Sequence, residues 1–189
     1  MNTDTQSNLN DREVMKALQG GRSEMLAILF ERHHVRLYNF LYRLTGDRMT
    51  SEDLVQEVFF RILKSCHTFR GKSGFPVWMF TIARNIHIDH LRKKKPSLSL
   101  DDMHRQPVSE SSAPPDQLET EEDRSLVMQA LDRLPTRKRE LIILSRFRYL
   151  DYRAISRMTN MKVNLIKVTI YRAIRDLKKI YQELKEGVA

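Results

Sequence analysis

Between Pro96 and Pro115 the chain loses every local signal of regular structure. Pro96, Ser97, Ser99, Pro107, Ser109, Ser111, Ser112, Pro114 and Pro115 crowd a stretch with no apolar period. Proline removes a backbone donor and fixes φ, and hydroxyl side chains compete for the backbone, so such a stretch propagates neither helix nor ladder. A flexible linker over residues 96–120 is predicted. It leaves two segments, 1–95 and 121–189, each long enough to bury a small core of its own.

Charge follows the same division. Residues 24–95 carry a net +6 and residues 125–189 a net +9, while residues 96–124 carry −6 and residues 1–23 balance at zero. Two basic bodies joined by an acidic strap suit two contacts with a polyanion and a linker that avoids or imitates it. Charge kept only for solubility is the alternative at this level.

Helical spacing dominates on both sides of the linker. A short helix is expected from Asp11 to Gln19, stopped at Gly20-Gly21. Leu26, Leu29, Phe30, Leu37, Phe40, Leu41 and Leu44 then mark a longer one, with Ser23 as its cap and Gly46 and Asp47 at its end. From Ser51 to Lys64 the apolar residues 54, 55, 58, 59, 62 and 63 share one face. A fourth helix starts after a cap at Ser73, takes Pro76 in its first turn, and buries Trp78, Met79, Ile82, Ala83 and Ile86. Past the linker, Glu121 to Leu134 is a helix ended by Pro135, and Thr136 caps another through Leu141, Ile142, Leu144 and Phe147. Asp151 caps a short helix, Tyr152 to Thr159. A turn at Asn160 to Val163 and a cap at Asn164 lead into a long basic helix reaching about Leu184. A short helix, a tight turn and a longer basic helix make a helix-turn-helix. Without strand-like alternation or an internal repeat, the fold class is all-α.

Several function classes fall away. No apolar run approaches the ~18 residues of a membrane span, and the N-terminus MNTDTQSNLNDR is polar, so no membrane insertion is expected and the cytoplasm is the expected location. Cys66 is the single cysteine and reads as a structural or surface thiol. His33 and His34 are adjacent, whereas a helical metal site wants His at i and i+4, so no metal and no cofactor are expected. With no nucleophile–base pair and no phosphate-binding Gly loop, an enzyme is not expected.

Two surfaces carry the remaining chemistry. Opposite the apolar stripe of the third helix stand Asp53, Gln56, Glu57 and Phe60, spaced i, i+3, i+4 and i+7. An aromatic ring among carboxylates suits a partner-binding face, and a solvated face with a tucked Phe60 is the plain alternative. The run from Phe69 to Ser73 (FRGKS) then feeds a helix whose polar side holds Thr81, Arg84, Asn85, Ile88, Asp89 and Arg92, ending in Lys93, Lys94 and Lys95. Glycines, hydroxyls and aromatics before a basic helix suit the holding of unpaired bases. The alternative makes Phe69, Phe75 and Trp78 core aromatics.

The motifs DLVQEVF from Asp53, FRGKS from Phe69, WMFTIARNIHIDHLR from Trp78 and Leu134-Pro135, followed by the helix-turn-helix, resemble in that order an extracytoplasmic-function RNA polymerase sigma factor of the sigma-70 superfamily. The resemblance spans nearly the whole chain. It implies a subunit that binds core polymerase, directs it to particular promoters and helps melt the minus-ten element. Asp53, Gln56, Glu57 and Phe60 would dock on the coiled coil of the largest polymerase subunit, and the C-terminal domain would meet the flap of the second-largest. Phe69, Arg70, Lys72 and Ser73, with Asn85, would pocket a flipped minus-ten base while Arg84, Arg92 and Lys93 track phosphates. Lys167, Val168, Thr169, Tyr171, Arg172 and Arg175 would face the minus-thirty-five element. Promoter DNA and an anti-sigma factor are the other implied partners. The acidic linker would thread toward the polymerase active centre and RNA exit path.

Two departures matter. Val168-Thr169 stands where the family usually has Ser-Arg, which loses a charge-assisted contact and offers methyl groups instead. Gly74-Phe75-Pro76 also differs from common versions of the melting loop. A sigma-like decoy that titrates an anti-sigma factor, or a conventional helix-turn-helix regulator, are the competing readings. The decoy has no need of the retained basic residues, and the regulator leaves the Asp53–Phe60 face unexplained.

Overall fold

The computed structural model describes residues 9–94, 121–146 and 150–187. The expected linker at 96–120, Lys95, the Lys94 side chain and Phe147 lie outside the described residues. All regular structure among the described residues is helical. In order, α1 is Asp11–Gln19, α2 Leu26–Thr45, α3 Arg48–Ser65, α4 Phe75–Lys94, α5 Glu121–Asp132, α6 Thr136–Ser145, α7 Tyr152–Thr159 and α8 Val163–Glu186, with 3-10 turns at Ser23–Met25 and Cys66–Thr68. The chain divides into two compact units, one drawn from residues 1–41 and 49–102, the other from 42–48 and 103–189.

The first unit begins with a capped helix. Asn10 accepts the Arg12 and Glu13 N–H groups at 3.1 Å, and Glu13 returns a carboxylate to the Asn10 N–H at 2.8 Å. This capping box satisfies donors that would otherwise be orphaned and fixes the start of α1. Val14, Met15, Ala17 and Leu18 are buried, which seats the helix. Asp11 pins it to α2, accepting from Arg32 at 3.1 Å and bonding the buried His33 ring at 2.8 Å. Burial alone would raise the Asp11 pKa, but the hydrogen bonds and charges of His33 and Arg32 outweigh it and hold the carboxyl below the ordinary 3.8.

Several expected caps move. Ser23 opens a 3-10 turn instead of capping α2, Thr136 and Asn164 fall inside their helices, and the stretch from Ser51 to Lys64 lies within α3, which starts at Arg48. Ser73 does not cap α4: the helix starts at Phe75, and Gly74 turns the chain into it with φ at 74°. A side chain would be strained at that φ, so glycine takes the position before the helix, where it makes the turn and supplies no side-chain cap. The buried set of α4 also differs from the expected stripe. Phe75, Met79, Phe80, Ala83, Ile86 and His87 are buried, while Trp78 and Ile82 are only half-buried. The cause lies in α2, where His33 meets Phe75 at 5.1 Å and Phe40 meets Phe80 edge-on at 5.1 Å, so α4 is rotated relative to a simple apolar stripe.

In the second unit α5, α6 and α7 all pack on α8. Leu131, Leu134, Ile142 and Ala173 form one core cluster, and Leu126, Ala130 and Leu184 another. Lys138 bonds Asp176 at 2.6 Å, and that hydrogen bond holds the Asp176 carboxyl below its usual range. Thr136 is the first residue of α6 and not its cap, because Pro135 occupies that position. Asp151 caps α7 as expected, accepting from the Ala154 N–H at 2.6 Å. Asn160 sits left-handed at φ 53°, ψ 36°, the conformation its side chain tolerates well. Ser156 then bonds the Met161 carbonyl at 2.6 Å and Met161 is buried, which fixes the turn. Helix α8 therefore starts at Val163, with Lys162 before it, and Asn164 lies within the helix as an exposed residue instead of its cap.

Candidate functional site

On α3 the buried residues Leu54, Val55, Val58, Phe59 and Ile62 leave Asp53, Gln56, Glu57 and Phe60 facing out. Those four residues line one shallow, open groove of about 440 Å³. Phe60 is 51% exposed although ordinary packing would hide a phenyl ring. The surface is not purely acidic and aromatic, however. Lys64 places its ammonium 4.1 Å from the Phe60 ring centroid, and Arg61 reaches Glu57 at 3.5 Å. Both cations stand four residues after their partners, a spacing that could have found them from the sequence.

The loop before α4 is held by α1. Gln19 donates its amide hydrogens to the carbonyls of Cys66 and Phe69, each at 2.9 Å. Gly71 has φ at 70°, and a Cβ there would stand 3.3 Å from the Arg12 side chain. Neither Gln19 nor Arg12 carries any local signal of this role, since the contacts join residues 47, 50 and 59 positions apart. Phe69 is buried, with its ring 5.3 Å from Trp78 and 6.3 Å from Phe75. The ring packs as an anchor for the loop expected to pocket a base. Arg70, Lys72 and Ser73 remain exposed around it.

Trp78, Asn85 and Arg92 lie on one line of α4, each seven residues after the last, about 10 Å apart along the axis. Asn85 and Arg92 are exposed, Lys93 is exposed beyond them, and Arg84 is half-buried beside them. The loop packs on Trp78, so it sits at the head of this line. Arg92 lies 3.8 Å from Asp89 in a weak exposed pair.

On α8 the buried residues Ile166, Ile170 and Ala173 turn Lys167, Val168, Tyr171, Arg172 and Arg175 outward, while Thr169 is half-buried at the edge. The Thr169 hydroxyl donates to the Leu165 carbonyl at 2.7 Å. Lys167 leans over the Tyr152 ring of α7, 5.6 Å from its centroid, and both line a shallow depression of about 290 Å³ with Asp151, Arg153 and Val163. Tyr152 was not singled out by the sequence; its place one residue after a cap gives the only hint.

Two stretches of the chain each match a family model. Residues 29–96 match Sigma-70 region 2, and residues 124–177 match Sigma-70, region 4. The ECF RNA polymerase sigma factor SigX of Bacillus subtilis is 31% identical over 168 residues, covering 86% of this chain and 87% of the relative. The chain belongs to the extracytoplasmic-function sigma factors. SigW of Bacillus subtilis is 28% identical over 182 residues, covering 92% of this chain and 97% of that relative. Among solved structures, the sigma factor RpoE from Bartonella quintana, crystallised with the anti-sigma factor NepR, aligns with TM-score 0.65 and 26% identity over 78% of this chain and 90% of that one. CnrH, solved with the cytosolic domain of CnrY, shares the fold at TM-score 0.66 and 18% identity, covering 92% and 97%. Helix α1 precedes the region 2 match, so the brace that Gln19 gives the loop lies outside the part of this sigma factor that the family model describes. As a family member the chain is an alternative sigma factor, acting in transcription initiation and binding DNA through its helix-turn-helix. No helix among the described residues is long and apolar enough to cross a membrane.

Proposed function

We propose that this sigma factor docks on the coiled coil of the largest polymerase subunit through Asp53, Gln56, Glu57 and Phe60, and melts the minus-ten element along the loop and outer line of α4. The single observation that carries the reading is the exposed Phe60, seated with three polar residues in one open groove opposite the core of α3. An aromatic ring exposed in a groove and ringed by polar groups is the kind of anchor that protein interfaces are built around. In the melting step, Arg70, Lys72, Arg84, Arg92 and Lys93 bind phosphates, while Asn85 offers a base edge both a donor and an acceptor. Unstacking a base costs a few kcal/mol and is offset only if the base finds a pocket. Ser73 contributes a hydroxyl beside it. The outward face of α8, with Lys167, Val168, Thr169, Tyr171, Arg172 and Arg175, reads the minus-thirty-five element, and the second unit contacts the flap of the second-largest subunit. The domains run 1–95, linker 96–120 and 121–189, and the protein works in the cytoplasm without catalysis of its own. An anti-sigma factor is a further partner, on the ground that RpoE, 26% identical, was crystallised with one.

The test is a pair of variants that separate the two steps. Glu57→Lys is expected to weaken binding to core polymerase by about tenfold or more at unchanged helicity, within the range of buried interface charges. Asn85→Ala is expected to keep core affinity and lose open complex, read by permanganate reactivity of unpaired thymines, with rescue on a pre-melted bubble. Unchanged core affinity in Glu57→Lys would remove the docking face, and full opening by Asn85→Ala would return Asn85 to an ordinary surface amide.

A further inference from the structure

The reading face of α8 is more apolar than a phosphate-binding helix requires. Leu165 is 54% exposed, Val168 46% and Tyr171 72%. Leu165 and Val168 are three residues apart, as are Val168 and Tyr171, so the three form one continuous stripe in the first three turns. Val168 stands opposite the buried Ile166, Ile170 and Ala173, at the centre of the outward face. In a helix-turn-helix the residues at the start of the second helix reach base edges.

The polar groups around the stripe are arranged for phosphate more than for bases. Residues 152–175 contain Arg153, Arg157, Lys162, Lys167, Arg172 and Arg175 and no acidic residue, and all six cations are exposed. Lys167 is drawn sideways over Tyr152, away from the middle of the face. The Thr169 hydroxyl donates its one hydrogen bond to the Leu165 carbonyl, so in this arrangement it is not a donor to a base. What remains at the centre is hydrocarbon, with the exposed Asn164 one turn before Val168. An apolar stripe framed by cations matches a polyanion that carries apolar groups on its own surface. Duplex DNA has one such group in the major groove, the C5-methyl of thymine.

We propose that α8 reads its upstream element chiefly through thymine methyl groups, with Leu165 and Val168 as the reading surface. The proposal rests on the assignment of α8 to that element and names how the element is read. Arg172 and Arg175 hold the helix in the groove, and Asn164 can pair with the adenine of the same base pair.

The test uses polymerase holoenzyme reconstituted with the full chain and a duplex pool randomised at several upstream positions. The pool is amplified once with dTTP and once with dUTP, which differ only by the methyl group, and bound duplexes are sequenced. Thymine is expected to be enriched at one or more adjacent positions in the dTTP pool. Its enrichment should fall about fourfold per position in the dUTP pool, the value of one methyl group withdrawn from water. Val168→Ala should erase the difference between pools at one position and Leu165→Ala at a neighbouring one, while Arg172→Ala lowers occupancy of all sequences alike. Equal enrichment in both pools overturns the proposal, as does a consensus led by guanine. A Val168→Ala protein that keeps the methyl dependence but no longer binds a protein partner also overturns it and gives the stripe to that partner. If no sequence is enriched and Lys167→Ala and Arg172→Ala leave occupancy unchanged, α8 is not the reader at all, and the broader assignment fails with it.

Discussion

The α1–α4 unit and the α5–α8 unit present their working residues in opposite ways. In the first, the loop from Phe69 to Ser73 is tied down from a distance: Gln19 holds two of its neighbouring carbonyls, Arg12 lies against Gly71, and Phe69 is sunk between Phe75 and Trp78. In the second, the outward residues of α8 project from one regular helix, and their only long-range tie among the described residues is Lys167 over Tyr152. Melting a duplex needs a pocket whose shape exists before the base arrives, and reading a groove needs only a rigid helix with the right residues outward. Under the proposed function, the difference in construction follows the difference in task.

The comparison breaks most visibly at Phe75, which is 2% exposed and meets His33, Phe69 and Trp78. Phe75→Ala should cost the first unit about 3–5 kcal/mol, since a cavity opens where three rings converge. Trp78 is the only tryptophan, so its fluorescence follows the first unit alone. Denaturant curves read by fluorescence should shift strongly while the C-terminal part of the circular-dichroism transition stays in place. Equal shifts in both signals would mean that the units unfold together.

A smaller effect sharpens the contrast at the loop. Gln19→Ala removes two hydrogen bonds to backbone and should cost roughly 1–2 kcal/mol, felt locally. Trypsin cleavage at Arg70 and Lys72 of the native protein should accelerate by roughly five- to thirtyfold, as a local opening of that size implies. Core binding should remain intact. If cleavage does not change, the loop is held by its aromatic anchor alone and α1 is not its brace.

The smallest expected change lies in the second unit. Asp151→Ala removes the cap that accepts the Ala154 N–H and should destabilise α7 by about 1 kcal/mol. Amide exchange at the start of α7 should quicken, and the outward residues of α8 should keep their affinity for DNA. A large loss of DNA binding would show that the cap, and not the face of α8, sets the reading geometry.

Residues of this chain show how unevenly the two units were legible. The apolar face of α3, the Asp151 cap and the left-handed Asn160 all follow from local rules, and each stands where those rules place it. So does the grouping of Asp53, Gln56, Glu57 and Phe60, which helical spacing alone puts on one face. The burial of Phe69 and the half-exposure of Trp78 do not follow. An aromatic before a helix reads equally as pocket or core until its neighbours are known, and here the neighbours are other aromatics. The cap expected at Ser73 failed because Gly74 makes the turn, and the one expected at Asn164 failed because the helix already starts at Val163, just after the buried Met161.

By itself, then, the sequence determined the helical class, the paired motifs of a sigma factor and the outward residues of α3 and α8. Each of these depends on residues within a turn or two of one another, where propensity, capping and periodicity act directly. Tertiary structure alone decided that α1 braces the loop, that Phe69 is an anchor, that α4 turns Trp78 toward the line of Asn85 and Arg92, and that Lys167 leans on Tyr152. Those outcomes depend on packing between residues far apart in the chain, and close packing admits only the rotation of α4 that satisfies both His33 and Phe40 at once.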